Sequence, residues 1–273
     1  MTKPYSAETV LIEGPDAIAF AHAQFGSNVM ALAVGRWQFS AWLDPQGRVQ
    51  ALFHLTRLAD DRLLLLLRGG EAAHVVDALK RYIFRSKVTL TALLPRSLSA
   101  GPALPLYDAS QDDQKNLLLG CDSHSLRISS ESIGDSAWRL AQIQNGWPWL
   151  PQSLLSELVA PALSLHRLHA VEIDKGCYPG QEIVARLHYR GGNKKHLHRI
   201  AVSSFENSAP CFAGDILRFG MNEKIWLLDV IQQDANAEAL AVMNDDIAAG
   251  FVDGTIEHSD DPKRIRILEA WSA

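Results

Sequence analysis

The first ninety residues contain strand-like runs that follow one another with only short turns between them. Residues 36–43, 48–58 and 62–67 are apolar-rich and each has the length of a strand. Residues 44–47 (DPQG) are a strong turn signal, because proline presets the second turn position and glycine takes positive φ. Helix-type patterns lie on either side, at residues 16–25 and 71–83. Strands that run directly into strands predict an antiparallel α+β arrangement rather than a doubly wound parallel sheet.

Composition places the chain among ordinary globular proteins. It has 273 residues, of which 47% are hydrophobic and 21% charged, enough for one large domain or two to three small ones. Lys and Arg total 26 against 31 Asp and Glu, a formal net charge of −5. That balance argues against broad coating of nucleic acid and against an electrostatic membrane anchor, although it leaves a local basic site open.

The N-terminal sequence, the hydropathy and the cysteine usage together favour the cytoplasm as the expected compartment. No run approaches the ~20 apolar residues of a membrane-spanning helix, and the N-terminus lacks the apolar stretch and cleavage site of an export signal. Cys121, Cys177 and Cys211 are far apart, odd in number and form no C-x-x-C pair. This usage fits a reducing cytoplasm and supplies no self-contained zinc or iron–sulfur ligand set.

Turn and loop signals (Pro, Gly and short polar runs) divide the chain into four parts. Residues 1–93 and 116–195 are expected to be two α+β subdomains. Residues 94–115, with four Pro and Gly positions and a polar run, are expected to connect them. From residue 196 onward, short β-type runs separated by Gly, Asn and Asp predict a small β-barrel or sandwich over residues 196–273.

The chemistry concentrates in residues 174–199 (DKGCYPGQEIVARLHYRGGNKKHLHR). Pro179 stands at a predicted helix start and two glycines at 191–192 end the helix. Ile183, Val184 and Leu187 share its apolar face. A polar face carries Glu182, Arg186, Tyr189 and Arg190. Cys177 precedes the helix N-terminus and stands two residues from Lys175, and both features favour a thiolate.

Each of these residues also has a plainer interpretation. A lone cysteine is often a small buried hydrophobe, and an inert one. The basic residues after the helix (Lys194, Lys195, Arg199) form either an anion site or a solvated helix end. His196 and His198 have strand spacing and point the same way, as metal ligands can. No third ligand is evident in the sequence, so no metal site is predicted.

The segment resembles the YgfZ family of folate-binding proteins, relatives of the glycine-cleavage T-protein. The resemblance rests on residues 175–182 (KGCYPGQE), followed by IVAR at 183–186 and YRG at 189–191. Upstream, Trp138-Arg139-Leu140 leading to G-W-P at 146–148 resembles the family's strand that ends in G-x-P. Residues 42–48 resemble its first hairpin. The resemblance covers residues 10–195. The C-terminal segment resembles the family only in being of β type.

The resemblance implies an α+β, T-protein-like folate-binding fold of two antiparallel α+β subdomains plus a small C-terminal β-barrel. It implies a helper in the assembly or maintenance of iron–sulfur enzymes, including tRNA modification enzymes. The expected cofactor is tetrahydrofolate or a one-carbon folate derivative, with no permanently bound iron–sulfur cluster. The expected partners are an iron–sulfur carrier or client enzymes, with no direct nucleic acid, no membrane and a monomeric state.

The resemblance also assigns residues. Cys177 is the expected functional thiol. Trp138 is expected to stack on the pterin, although a plain core tryptophan is an equal interpretation. Cations of the motif would bind the glutamate tail of the folate. The expected folate-binding residues are Trp138, Lys175, Tyr178, Gln181, Glu182, Arg186, Tyr189 and Arg190.

Departures from the family's pattern leave alternatives open. T-proteins have an aspartate shortly after the hairpin turn, whereas here Gly47-Arg48-Val49 is followed by QALF, without a carboxylate. Loss of an acid–base group costs typically ~10²–10⁴-fold in rate, so a genuine aminomethyltransferase is not expected. Ser164 stands where the family often has Asn or Glu, and it offers fewer polar atoms. A non-catalytic docking module with a vestigial folate cleft is therefore the alternative, and a one-carbon transferase the third choice.

Overall fold

The computed structural model describes residues 5–131, 137–204, 210–219, 223–233, 236–251 and 263–271. Within these ranges the chain builds three antiparallel sheets of five strands each. In the first ninety-two residues the elements, in chain order, are β1 (Tyr5–Ala7), β2 (Thr9–Glu13), α1 (Ala17–Gln24), β3 (Arg36–Leu43), β4 (Val49–Ala59), β5 (Arg62–Leu67), α2 (Ala72–Leu79) and β6 (Thr89–Ala92). The predicted α+β character is confirmed.

The first sheet has the strand order β3-β4-β5-β2-β6 and is buried on both faces. Phe53 and Leu65 pack toward the helices α1 and α2. Residues such as Leu52 and Leu66 join the central core of the molecule on the other face. Burial on both faces explains why β5 reads RLLLLL without the alternation of a half-exposed strand.

The hairpin turn between β3 and β4 is confirmed. Gly47 has φ +75° and its N–H donates to the carbonyl oxygen of Asp44 at 2.9 Å. The Asp44 carboxylate accepts the backbone N–H groups of Gln46 and Arg48 at 2.9 and 2.8 Å. The aspartate therefore stabilises the turn internally, as Asx side chains commonly do.

The second sheet includes strands from residues 94–115, the segment predicted to connect the two subdomains. Its strands after β1 are β7 (Arg96–Gly101), β8 (Ala109–Gln111), β9 (Leu117–Gly120) and β10 (Ser125–Ser129), in the order β1-β7-β10-β9-β8. Two of them, β7 and β8, come from the predicted connector. The prolines there flank the strands, and Leu98 in the middle of β7 is 1% exposed in the central core. The division of the chain into four parts stays a prediction.

A helix stands where the sequence predicted a strand around Trp138. Residues Ala137–Gln144 form α3. Its buried positions are Trp138, Arg139, Gln142 and Ile143, at i, i+1, i+4 and i+5, which is one helical face. Two of these four buried residues are polar, so the pattern of hydrophobic residues alone does not predict a buried helical face here.

The third sheet contains β11 (Lys195–Ser204), β12 (Ile216–Phe219), β13 (Glu223–Gln233), β14 (Asn236–Asn244) and β15 (Lys263–Trp271), and a short α5 (Asp245–Gly250) follows β14. The order is β12-β13-β14-β11-β15, so the predicted β character is confirmed. Closure into a barrel is not: in the described ranges β12 and β15 are the two edges of an open sheet. No helix in those ranges is long and apolar enough to cross a bilayer.

Candidate functional site

The KGCYPGQE motif leads into helix α4 (Gln181–Arg190), which begins where the sequence predicts. Gly180 precedes it with φ +80°, and a Cβ there would lie 2.5 Å from the carbonyl oxygen of Asp44. A Cβ on Gly47 would likewise lie 3.1 Å from the side chain of Ile183. Glycine at both positions lets the start of α4 pack directly on the β3–β4 hairpin turn.

Lys175 fixes the other end of the motif. Its side chain is buried, and its ammonium donates hydrogen bonds to the carbonyl oxygens of His22 and Phe25, the latter at 2.7 Å. Both carbonyls lie at the C-terminal end of α1, where the helix dipole favours a cation. In return, His22 Nε2 lies 3.0 Å from the carbonyl oxygen of Lys175. Burial lowers the pKa of Lys175 to about 8, against the opposing charge of Glu172.

Cys177 is exposed, whereas Cys121 and Cys211 are buried, and all three are free thiols. Burial raises the pKa of the Cys121 thiol to about 11, which makes it unreactive at neutral pH. The thiol of Cys177 is accessible on a loop whose neighbouring residues are held from both sides. Lys175 is hydrogen-bonded to the end of α1. The Tyr178 ring is buried, and its centroid lies 5.1 Å from the Lys175 ammonium.

The predicted folate-binding residues do not form one pocket. Glu182, Arg186, Tyr189 and Arg190 are exposed on the outer face of α4, with Tyr189 69% exposed. Within the motif, the side chains of Lys175 and Tyr178 are buried, and the Gln181 amide donates to the carbonyl oxygen of Ile173 at 2.6 Å. The motif residues thus divide into an inner set that anchors the loop and an outer set that faces solvent.

Trp138 lies apart from the motif. It is 3% exposed in the central core, and its ring meets that of Trp149 edge-to-face at a centroid distance of 5.6 Å. Arg139 beside it forms an ion pair with the fully buried Asp229 of β13. This environment matches the core interpretation of the tryptophan.

A cleft of about 350 Å³ opens between the first sheet and residues 168–172. We call it the Glu172 cleft. Its aromatic and polar lining residues are Arg36, Trp37, Gln38, Tyr107, His169 and Glu172. Sequence reasoning selected none of them, and they come from separate segments of the chain. The volume falls within the ~300–1,000 Å³ of ordinary small-molecule sites.

Neighbouring groups hold the lining side chains in place. The Trp37 indole N–H donates to the carbonyl oxygen of Gly120 at 3.0 Å, and the Gln38 amide donates to Ser27 Oγ at 2.8 Å. Arg36 pairs with Asp108. His169 Nδ1 lies 3.5 Å from Glu172 Oε1. A side chain already held in one orientation loses little freedom when a ligand binds.

Glu172 connects this cleft to the motif. Its backbone N–H donates to the carbonyl oxygen of Gly26 at 2.9 Å, just after α1. Its carboxylate lines the cleft, and its charge acts on the pKa of Lys175, in opposition to the effect of burial. The cleft and the loop that carries Cys177 therefore share one acidic side chain.

Three residues singled out in the sequence have structural partners. Ser164 is buried, and its hydroxyl donates to the carbonyl oxygen of Trp271 at 2.6 Å, which attaches the third sheet to the centre. His196 Nδ1 lies 2.5 Å from Asp245 Oδ1, and His198 Nδ1 lies 2.9 Å from the carbonyl oxygen of His196. In the part of the chain that the structure describes, no group of three His, Cys, Asp or Glu side chains is arranged to hold a metal ion.

Comparisons with known proteins agree with this architecture. The model of the GCVT N-terminal domain matches residues 5–96. The chain is 29% identical to an uncharacterized protein of Haemophilus influenzae, with 69% of this chain and 68% of the relative covered. It is 25% identical to the tRNA-modifying protein YgfZ of Yersinia enterocolitica, with 95% and 88% covered.

Among solved structures, the fold is similar to that of the glycine cleavage system aminomethyltransferase T from Bartonella henselae. The TM-score is 0.63 at 16% identity, with 98% of this chain and 86% of that chain covered. At this identity the likeness establishes the fold and not the activity.

Proposed function

From the similarity of the chain to the YgfZ family, we propose that it is a cytoplasmic, folate-binding accessory protein. Its role would be the assembly or maintenance of iron–sulfur enzymes, including those that modify tRNA, and its functional thiol would be Cys177. The observation that carries the proposal is the exposed Cys177 on an anchored loop, beside a cleft that shares Glu172 with that loop.

The residues of the Glu172 cleft fit a folate. A pterin ring offers N–H donors that suit a carboxylate such as Glu172 and a flat face that suits the half-buried aromatic ring of Tyr107. Arg36, with a side chain 44% exposed, lies at the rim, where an anionic tail would leave the cleft. When bound, the folate would supply one-carbon chemistry, and these side chains would bind and orient it.

This assignment moves the expected folate contacts away from the motif. Trp138 is enclosed in the core, and the inner motif residues already have protein partners. The cations on the outer face of α4, Arg186 and Arg190, stay exposed and suit a docking partner such as an iron–sulfur carrier or client enzyme. With a single exposed cysteine in the described ranges, any cluster contact would be transient or shared with that partner.

Calorimetric titration with tetrahydrofolate and 5-formyltetrahydrofolate tests the cleft. Glu172→Gln should weaken binding roughly tenfold or more, as expected for loss of a hydrogen bond to a charged group. Glu157→Gln, an exposed acid outside the cleft, is the matched control and should leave affinity unchanged. Absence of binding at high ligand concentration would contradict the folate proposal.

A docking module with a vestigial folate cleft is the second candidate. The burial of Trp138 and the use of the Ser164 hydroxyl by Trp271 favour it. Complementation of cells that lack the protein, with Cys177→Ser and tRNA methylthiolation as the readout, separates the two. Loss of the modification supports a functional thiol, whereas full activity without folate binding favours the docking module.

An aminomethyl transferase is the third and weakest candidate. The position after the hairpin turn is Gln50, and the carboxylate of nearby Asp44 is engaged by two backbone N–H groups of its own turn. A base must be free to accept a proton from the reacting group. Formation of 5,10-methylenetetrahydrofolate together with release of ammonia, when an aminomethyl donor and tetrahydrofolate are supplied, would overturn this ranking.

A further inference from the structure

We propose that residues 80–87 (KRYIFRSK) form a docking surface for single-stranded nucleic acid. We call these residues the basic segment. The segment follows α2 and carries four cations and no acid in eight positions, in a chain whose net charge is −5. It departs from the expectation that the protein makes no direct nucleic-acid contact. The inference goes beyond the proposed function, which makes no use of the segment.

Two aromatic side chains project from the segment. Phe84 is 91% exposed and Tyr82 is 47% exposed, although Ile83 between them packs against the core of the first sheet. The Arg85 guanidinium lies 5.6 Å from the centroid of the Phe84 ring. A phenylalanine so exposed contributes almost nothing to the folded core, so its ring face is available to a partner.

The cations around the aromatic residues are accessible. Lys80 pairs with Asp77 at 3.1 Å, whereas Arg81, Arg85 and Lys87 form no ion pair within the described residues. All three are exposed. Alternation of exposed cations with exposed rings suits a strand that offers phosphates and unpaired bases, because the rings stack on bases and the cations bind phosphates.

Other anionic partners fit the basic segment less well. A membrane-bound segment needs a continuous apolar face to insert into lipid, and within residues 80–87 Phe84 is the single fully exposed apolar side chain. An acidic peptide would use the cations and leave the Phe84 ring in water. Nucleic acid uses both features at once.

Contacts within the protein connect the basic segment to the motif. The Tyr82 ring lies 6.2 Å from that of Trp42, which forms an isolated β-bridge with Phe25. The carbonyl oxygen of Phe25 in turn accepts the Lys175 ammonium. A nucleic acid bound at residues 80–87 would therefore occupy a surface that is joined through Trp42 and Phe25 to the loop that carries Cys177.

Fluorescence anisotropy on the full chain tests the surface, with a labelled RNA stem-loop, a DNA stem-loop of the same sequence and a blunt RNA duplex as probes. The stem-loops should bind more tightly than the duplex. Phe84→Ala should weaken stem-loop binding by roughly tenfold, as loss of one stacked base does. Phe212→Ala, a 60% exposed phenylalanine in another part of the chain, is its matched control and should have no effect.

Charge reversal provides an independent arm. Arg85→Glu should weaken stem-loop binding and make the salt dependence shallower, by roughly 0.7 in the slope of log K against log salt for each phosphate that the variant no longer binds. Lys115→Glu makes the same charge change outside the segment and should alter neither quantity. A preference for the RNA or for the DNA stem-loop would support the surface and identify its natural source, and equal binding of both would support the surface as one for single-stranded nucleic acid of either kind.

Three outcomes would overturn the proposal. One is equal loss of affinity in the segment variants and in their controls. Another is equal affinity for stem-loop and duplex. The third is sedimentation with vesicles of phosphatidylserine and phosphatidylcholine without any binding of the stem-loops, which would reassign the segment to membranes.

Discussion

The ammonium of Lys175 lies 2.7 Å from the carbonyl oxygen of Phe25, 150 residues away along the chain. The hydrogen bond joins the KGCYPGQE motif to the C-terminal end of α1, and burial leaves the cation with few water neighbours. The motif lysine therefore anchors the loop from below, and its charge is not presented to a ligand at the surface.

Lys175 should give the protein a pH-dependent stability at alkaline pH. Its pKa is about 8 in the folded protein, against 10.5 as its ordinary value. Between these values the unfolded chain binds more protons at this site than the folded one, so the Lys175 contribution to stability rises with pH from about 8 to about 10.5. Urea unfolding over this range should show wild type gaining stability relative to Lys175→Met.

Other groups titrate in the same interval, and the comparison with Lys175→Met removes their effect. The pKa of Cys121 is raised to about 11, so its contribution is lost as pH rises from about 9. Both proteins share that loss. A stability difference that stays constant with pH would show that the Lys175 ammonium is not desolvated.

Gly180 and Gly191 offer a matched pair of substitutions at the two ends of α4. Both have positive φ, +80° and +69°, but a Cβ on Gly180 would lie 2.5 Å from the carbonyl oxygen of Asp44, whereas Gly191 has nothing within 4 Å. Gly191→Ala should cost about 1 kcal/mol, the conformational part alone. Gly180→Ala should cost about 2–4 kcal/mol, because the hairpin turn must also move.

Chemical denaturation measures both variants. Equal losses for Gly180→Ala and Gly191→Ala would mean that α4 does not rest on the β3–β4 turn. In that case the inference that the hairpin turn positions the Cys177 loop through its contact with the motif would be wrong.

Parts of the fold that depend on neighbouring residues were predictable from the sequence. The β3–β4 hairpin follows from the turn chemistry of residues 44–47, and α4 follows from the glycines that bound it. Helix α3 was not predictable, because its buried Arg139 and Gln142 are satisfied by distant partners. Arg139 forms an ion pair with Asp229, and Gln142 Oε1 accepts a hydrogen bond of 2.8 Å from the guanidinium of the buried Arg68. The hydropathy of neighbouring residues does not indicate partners that are distant in the sequence.

The candidate site divides in the same way. Residues 175–182 could be selected as a candidate site from composition and resemblance, since the residues are adjacent in the sequence. The Glu172 cleft was not, because Tyr107 comes from the predicted connector and Gln38 from the middle of a strand. Only the packing of separate segments brings them together. The burial of the Lys175 ammonium likewise depends on carbonyl groups about 150 residues away.

The three cysteines should differ in reactivity toward iodoacetamide. Cys177 is exposed, whereas Cys121 and Cys211 are buried, and alkylation requires both access and a thiolate. Intact-protein mass spectrometry at neutral pH should show one modification in the native protein and none in Cys177→Ser. All three should react in urea. Rapid native labelling in Cys177→Ser would show that a buried thiol is exposed by local opening.

The ion pair between Arg139 and Asp229 should be a major contribution to the attachment of α3 to the third sheet. Asp229 is fully buried and Arg139 nearly so. Asp229→Ala should cost about 3–5 kcal/mol, because it leaves a buried guanidinium without its carboxylate. Asp60→Ala breaks a surface pair with Arg57, in which Asp60 is 93% exposed, and should cost less than about 1 kcal/mol. Thermal and urea unfolding of both variants measures the contrast. Similar small losses would mean that water or another side chain satisfies Arg139, and that apolar contacts alone hold the third sheet against α3.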